Sequence, residues 1–192
     1  SGSTVEKIDI VERELARLTT LLNDFLNLAR PEATTHVPVS LDEVVRRVLL
    51  LTEPFVAQFD ISIRRAGDQG VWVRGDAPRI EQVLLNLIGN AREAMTGLGA
   101  GTIDVRIERA GGMVKLVVED QGPGLEGDNS FEPFVTSKAA GTGLGLAIVQ
   151  KIVQLHGGEV GLESRADRRG ARAWFTLVEV TPPRPRDPPT TP

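Results

Sequence analysis

A repeated order of one helical stretch followed by two strand-like stretches restricts the fold of this chain more strongly than any other pattern. Apolar residues at helical spacing follow Ser40, Asp76 and Thr142, and each helical stretch precedes a pair of strand-like segments. These segments are 59–64, 71–73, 103–108, 114–119, 159–163 and 171–179. A sheet must bury one face against another layer. The order therefore predicts an α+β fold, a two-layer sandwich in which three helices cover one face of an antiparallel or mixed sheet.

Local residue chemistry predicts where the first two helices begin. Ser40 and Glu43 are spaced as a capping box, and Asp76 followed by Pro78 is typical of a helix start. Pro54 lacks a backbone N–H, so we expect it to kink or shorten the end of the first helix.

An amphipathic segment precedes this fold. Its apolar residues recur at alternating spacings of three and four: Ile8, Val11, Leu15, Leu18, Leu22, Phe25 and Ala29. This spacing is typical of a coiled coil or helical bundle, so we expect the helix either to self-associate or to pack on the following domain. The predicted organisation is a partial bundle helix at 1–30, a linker at 31–38, a folded domain at 39–180, and a Pro-rich tail at 181–192 that we expect to be disordered.

Composition excludes several classes of protein. The net charge of −4 argues against a nucleic-acid-binding surface, and the lack of cysteine excludes disulfides and thiolate metal sites. No apolar run approaches the roughly 20 residues that span a bilayer, so we expect no direct membrane contact. The initial Ser1-Gly2-Ser3 resembles a cloning scar, and we expect a fragment of a longer protein.

Two asparagines on the second helix are candidate ligand residues. Asn86 and Asn90 are four residues apart, so they share one side of the helix, at the rim of its apolar stripe. An amide oxygen suits Mg²⁺, which keeps several waters and takes its charge partners from substrate phosphates. Considered alone, the pair is more simply explained as two ordinary rim residues.

Asp120 opens the sequence Asp-Gln-Gly-Pro-Gly directly after a predicted strand. A carboxylate held there can accept a hydrogen bond from an exocyclic amine such as that of adenine, and Gly122 and Gly124 let a base approach the backbone. A plain Asp-Gly turn is the alternative. Residues 122–127 also match a dinucleotide-binding Gly-x-Gly-x-x-Gly pattern, but no helix follows the third glycine, so this match is rejected.

A second glycine loop, Gly141-Thr-Gly-Leu-Gly-Leu, leads directly into the third helix. Free N–H groups and the positive end of the helix dipole make such a start a phosphate site. The candidate residues of this loop are Thr142, Gly143, Leu144, Gly145 and Leu146. Lys138, just upstream, is a candidate for the terminal phosphate, with a solvated surface lysine as the alternative. No Gly-Lys-Ser/Thr follows, which excludes a Walker A loop.

Taken together, these motifs resemble the catalytic and ATP-binding domain of sensor histidine kinases, within the GHKL ATPases that include gyrase, Hsp90 and MutL and share the Bergerat fold. Residues 82–95 resemble the N box, 120–124 the G1 box, 131–138 the F box and 141–146 the G2 box. The amphipathic segment is similar to the second helix of the dimerisation and histidine-phosphotransfer bundle. The N box and the Phe-Glu-Pro-Phe segment most resemble the NtrB-type branch.

The resemblance implies ATP and Mg²⁺ as ligands. It assigns nucleotide binding to Asn86, Asn90, Asp120, Gly122, Gly124, Lys138, Thr142, Gly143, Leu144, Gly145, Leu146 and Thr176. Asn90 would hold Mg²⁺, Asp120 would bind the adenine amine, and Thr176 would lie near the adenine. The implied reaction transfers the γ-phosphate of ATP to a histidine for relay to a response regulator, and no residue of this chain is predicted to be catalytic.

Two features depart from the family pattern. The helix that bears the accepting histidine is not present, since neither His36 nor His156 has an acidic neighbour, and we expect His156 to be a capping or core residue. The lid between Gly124 and Phe131 is short, only six residues. The implied partner is the histidine-bearing helix of its own kinase homodimer, and the implied location is the cytoplasm, including the cytosolic portion of a membrane-bound sensor.

Two other functions stay open at this point. An ATP-gated clamp of the gyrase or MutL kind would have a glutamate as general base, where this chain has Asn86. A degenerate module that only dimerises or binds nucleotide is the third hypothesis, suggested by the short lid. Sustained ATP hydrolysis without a histidine-bearing partner would favour the clamp.

Overall fold

The computed structural model describes residues 35–125, 131–135, 142–166 and 169–183, and six separate helical residues nearer the N-terminus: Ile8, Val11, Leu15, Leu18, Thr19 and Leu22. The elements in chain order are β1 (Val37–Ser40), α1 (Leu41–Ala57), β2 (Ile61–Gly67), β3 (Trp72–Gly75), α2 (Ala77–Met95), β4 (Gly101–Ala110), β5 (Met113–Glu119), α3 (Gly145–Leu155), β6 (Val160–Ser164) and β7 (Ala171–Val178). The predicted α+β sandwich is confirmed.

The main sheet of the described residues is mixed. Its strand order is β2-β4-β5-β7-β6, with β2 and β4 parallel and the other neighbours antiparallel. A smaller antiparallel pair, β1 and β3, is connected to the main sheet by a bridge between Val73 and Glu179. In this order β5 and β7 are neighbours, so the loop after β5 lies beside the start of β7.

The core lies between the sheet and the helical layer. Each helix contributes one apolar stripe, and alternate residues of the strands meet these stripes, with Ile103, Val105 and Ile107 of β4 fully buried. The predicted helix starts are present: the Ser40 hydroxyl accepts from the Glu43 N–H at 3.4 Å, and the Asp76 carboxylate, just before α2, accepts from the Arg79 N–H at 3.3 Å. Burial of these stripes is what orients α2 and α3 relative to the end of β5.

Several element boundaries differ from those expected. β1 begins at Val37, near the end of the predicted linker, because its backbone pairs with β3. α1 continues three residues past Pro54 to Ala57 and is not shortened by it. The following strand begins at Ile61 because Asp60, with φ of 57°, belongs to a turn. α3 begins at Gly145, three residues later than predicted.

Five apolar residues of the N-terminal segment are both helical and exposed. Ile8, Val11, Leu15, Leu18 and Leu22 are each 52–59% exposed. The described part of the chain therefore does not bury this stripe. In the same described part, no helix combines the length and apolarity that a membrane crossing requires.

Candidate functional site

The rim of α2 carries the two asparagines singled out by the sequence. Both are half-buried, as predicted from their angle to the apolar stripe. The Asn86 side-chain amide donates to the carbonyl oxygen of Gly145 at 3.3 Å, which ties α2 to the start of α3. Asn90 lies one turn further along α2, and its amide makes no hydrogen bond within the described residues. Its oxygen is a hard neutral donor of the kind that Mg²⁺ accepts beside phosphates.

Asp120 is buried and held by backbone groups on both sides. One oxygen of its carboxylate accepts from the Gly122 N–H at 2.8 Å and from the Ala171 N–H at 3.0 Å. Its own N–H donates to the carbonyl oxygen of Ala171 at 3.0 Å. Two donors on one oxygen fix the orientation of the carboxylate, so Asp120 is a preorganised hydrogen-bond acceptor at the end of β5.

The loop after Asp120 lies directly against the C-terminal part of α2. A Cβ atom on Gly122 would lie 3.0 Å from the carbonyl oxygen of Ala94 and 3.1 Å from its Cβ. A Cβ there would require Ala94 or the Asp120 carboxylate to shift by a few tenths of an ångström, so the loop and α2 are closely packed at this glycine. Gly124 follows beside the carbonyl oxygen of Gly170 and the hydroxyl of Ser164.

The second glycine loop leads into an α3 whose N-cap residue provides no side-chain cap. Leu144 is the N-cap residue and is buried, and its N–H is bonded to the hydroxyl of Thr142 at 3.3 Å. Gly143 has φ of +67° and accepts from the Phe134 N–H at 3.0 Å, so the loop packs on the preceding segment. Apart from its chain neighbours and its own helix backbone, none of the residues that the structure describes comes within 4 Å of a Cβ placed on Gly145. The first turn of α3 thus has the properties of an anion site.

The two loops contact the same side of α2 at different heights. Asn86 meets the start of α3 through Gly145, and Ala94 meets the Asp120 loop through Gly122. Eight residues of α-helix separate these contacts, about 12 Å at 1.5 Å per residue. Asn90 lies midway between them. The arrangement is one elongated site with the oriented carboxylate of Asp120 at one end and a helix N-terminus at the other.

The structure does not bring Thr176 into this site. Its hydroxyl accepts from the Glu159 N–H at 2.8 Å, and it alternates along β7 with Phe175 and Leu177, which are buried against the helices. Thr176 therefore lies on the opposite face of the sheet, with Trp174, and its position does not support the predicted contact with adenine. The apolar alternation in β7 is the sequence signal that predicts this orientation.

The remaining predicted residues are placed as follows. Leu146 packs against the hydrophobic core. Lys138 lies outside the described residues. His156 is buried, with one ring nitrogen bonded to the Asp76 N–H at 3.0 Å and the other to the carbonyl oxygen of Ile152 at 2.7 Å. It is a core residue, as predicted.

Sequence reasoning missed Ala94 and Ala171 because they act through backbone atoms, which carry no sequence signal.

Comparison with known proteins identifies a common architecture. Residues 75–181 match the family described as histidine kinase-, DNA gyrase B-, and HSP90-like ATPase. The sensor histidine kinase ZraS of Klebsiella oxytoca is 38% identical over 172 residues, which cover 88% of this chain and 37% of ZraS. The chain thus spans well under half the length of this curated relative.

Two solved structures extend the comparison. Full-length ShkA in complex with AMPPNP has a TM-score of 0.78 at 31% identity, covering 92% of this chain and 39% of ShkA. The histidine kinase ThkA in complex with the response regulator protein TrrA has a TM-score of 0.76 at 30% identity, covering 91% of this chain and 51% of that one.

Proposed function

Because this chain belongs to the family of histidine kinase-, DNA gyrase B- and HSP90-like ATPases and is the ATP-binding domain of a histidine kinase, we propose that the protein containing it transfers the γ-phosphate of ATP to a histidine. The phosphoryl group then passes to a response regulator. The histidine is supplied by a separate helix of the kinase dimer. ATP supply implies a location in the cytoplasm.

The observation that carries this proposal is the spacing of the two loops along α2. A contact at Asn86 and a contact at Ala94 are about 12 Å apart on the helix axis. A nucleoside triphosphate lying along α2 would place its base beside Asp120 and its phosphates beside Gly143, Leu144 and Gly145. The uncapped N–H groups of α3 would then bind phosphate oxygens.

The individual side chains fit this orientation of ATP. The carboxylate of Asp120 would accept a hydrogen bond from the exocyclic amine of adenine, and Gly122 and Gly124 would lie beside the ring. Asn90 would hold Mg²⁺ through its amide oxygen, and Asn86 would support the phosphate end through its bond to Gly145. A single neutral protein ligand is enough where substrate phosphates supply the negative charge.

The contribution of this domain to phosphoryl transfer is positioning and charge neutralisation. The nitrogen of the incoming histidine attacks the γ-phosphorus and the ADP oxygen leaves, so no side chain of this domain forms a covalent bond. Bound Mg²⁺ would supply neutralisation of the phosphate charge. Neither histidine of this chain fits the acceptor role: His156 is buried and bonded through both ring nitrogens, and the ring of His36 stacks at 5.1 Å from it.

One feature argues against an ATP-hydrolysing clamp. Such clamps resemble one another in a glutamate general base on the N-box helix, where this chain has Asn86, and a neutral amide cannot take a proton from water. Its amide is instead bonded to Gly145. A neutral histidine nitrogen is already a nucleophile, so phosphoryl transfer to it needs no general base on this helix.

The decisive experiment offers a histidine acceptor. The chain would be incubated with Mg²⁺ and γ-labelled ATP, with and without a dimeric helical bundle from the same protein that bears the acceptor histidine. Label should appear on the bundle in an acid-labile, alkali-stable linkage typical of phosphohistidine. ATP hydrolysis at the same rate with and without the bundle, and no labelled bundle, would favour the clamp. Absence of ATP binding would favour a module that only dimerises.

A further inference from the structure

A buried arginine lies directly behind the Asp120 loop. Arg165 follows β6, and its side chain is only 3% exposed. Its guanidinium contacts two consecutive residues: Nη2 is 3.4 Å from the Glu119 carboxylate, and Nη1 donates to the carbonyl oxygen of Asp120 at 3.1 Å. A buried charge is tolerated when it is paired and hydrogen-bonded. Here the pairing attaches the segment after β6 to the last residue of β5, Glu119, and to Asp120, which follows it.

The hairpin between β6 and β7 completes the enclosure of Asp120. The Arg165 N–H donates to the carbonyl oxygen of Gly170 at 3.0 Å, and a Cβ on Gly170 would overlap the carbonyl oxygen of Asp120. Ala171 then bonds the carboxylate and the N–H of Asp120. The backbone of Asp120 is therefore held on its carbonyl side by Arg165 and on its amide side by Ala171.

We propose that Arg165 is a positioning residue that sets the base selectivity of the nucleotide site by holding Asp120. The inference rests on the proposed function, in which the Asp120 carboxylate reads the adenine amine. Arg165 is buried, so it does not touch the nucleotide. Loss of its bond frees the peptide between Asp120 and Gln121 to rotate, and this rotation displaces the Gly122 N–H that orients the carboxylate.

The expected effect is on selectivity. ITP has an oxygen in place of the exocyclic amine of ATP and a proton on N1, so the ratio of ATP affinity to ITP affinity reports recognition of the base edge that carries the amine. Both nucleotides would be titrated calorimetrically, with Mg²⁺, into the chain. Arg165→Met should lower ATP affinity about tenfold, the cost of one weakened hydrogen bond to a charged group, and change ITP affinity less than about twofold.

Arg172 provides a matched control. Its Nε lies 3.4 Å from the other oxygen of Glu119, its side chain is partly exposed, and no hydrogen bond joins it to Asp120 among the described residues. Arg172→Met removes an ion pair to the same carboxylate and should leave the ATP/ITP ratio unchanged. Glu119 keeps Arg106 and Arg172 as partners when Arg165 is replaced, so the fold should survive the test substitution.

Coupling to Asp120 separates positioning from a general structural role. In a chain carrying Asp120→Asn, adding Arg165→Met should leave the ATP/ITP ratio unchanged. An Arg165→Met chain that keeps the wild-type ratio, or that loses ATP and ITP affinity equally, would overturn the proposal. If Arg165→Met does not fold, Arg165→Lys decides, because one ammonium keeps the charge but not the fork that reaches both partners. A wild-type ratio in that variant would also overturn it.

Failure of the proposed function gives a different pattern. A wild-type chain that binds neither nucleotide, or one in which Asp120→Asn leaves the ATP/ITP ratio unchanged, would refute adenine recognition by Asp120 and the inference with it. A wild-type chain that prefers ATP through Asp120 but ignores Arg165 refutes the inference alone.

Discussion

Replacement of Gly170 by alanine tests the contact that closes the site behind Asp120. Gly170 has φ of +124°, a conformation that side chains rarely adopt, and a Cβ there would overlap the carbonyl oxygen of Asp120. The strained backbone costs about 1–3 kcal/mol and the overpacking about 1–3 kcal/mol. We therefore expect Gly170→Ala to lower the free energy of unfolding by roughly 2–6 kcal/mol.

The matched control is Gly111→Ala in the turn between β4 and β5. Gly111 also has positive φ, +59°, but within the described ranges no residue other than its chain neighbours lies within 4 Å of its Cβ position. Only the cost of the strained backbone applies there, which lowers the free energy of unfolding by about 1–2 kcal/mol. For a chain of this size 1 kcal/mol corresponds to about 2–4 °C in Tm.

The assay is thermal unfolding followed by circular dichroism, without nucleotide. Gly170→Ala should show a Tm decrease about two to three times that of Gly111→Ala, by these estimates. The folded fraction of Gly170→Ala should also bind ATP more weakly, because the Asp120 backbone is displaced. Equal Tm decreases for the two variants would refute the contact between Gly170 and Asp120.

Three further substitutions test other parts of the site and fold. Asp120→Asn keeps one side-chain oxygen for the two backbone donors but replaces the other carboxylate oxygen with an NH2 donor. Calorimetry should therefore show ATP affinity reduced by about tenfold or more, and unchanged affinity would contradict adenine recognition. Asn90→Ala should weaken ATP binding about tenfold with Mg²⁺ and little with EDTA, whereas equal losses would exclude a metal ligand. His156→Ala removes a buried imidazole and the acceptor of the partly buried Asp76 N–H, and it should cost about 2–4 kcal/mol in denaturant unfolding; a cost below about 1 kcal/mol would contradict its role in the core.

Features that depend on neighbouring residues were predictable from sequence. The starts of α1 and α2 follow from the side chains of Ser40 and Asp76, which bond N–H groups three residues away. The half-burial of Asn86 and Asn90 follows from helical geometry and the apolar stripe. In each case the physical cause lies within one or two turns of the residue concerned.

Features that depend on pairing between distant parts of the chain were not predictable from sequence. Sequence alternation left open whether the sheet is antiparallel or mixed, because the parallel pairing of β2 with β4 is a long-range interaction. Nothing near Arg165 distinguishes it from the other arginines of its hairpin; its role arises only when β7 brings that hairpin beside Asp120. Thr176 is the opposite case. Its alternation with the buried Phe175 and Leu177 indicates that it faces away from the helices, but the resemblance to the kinase family implied a position near the adenine.

Titration of the isotopically labelled chain with ATP and Mg²⁺, followed by NMR, tests whether the site along α2 binds the nucleotide. We predict saturable one-to-one binding, with the largest shifts at the backbone amides of 120–124 and 143–145 and at the side-chain amides of Asn86 and Asn90. The cleft beside α1 serves as the internal reference and should not shift; its charged lining residues are Asp42, Glu43, Arg46, Glu53 and Arg65. No binding, or shifts centred on that cleft, would contradict an ATP site built along α2.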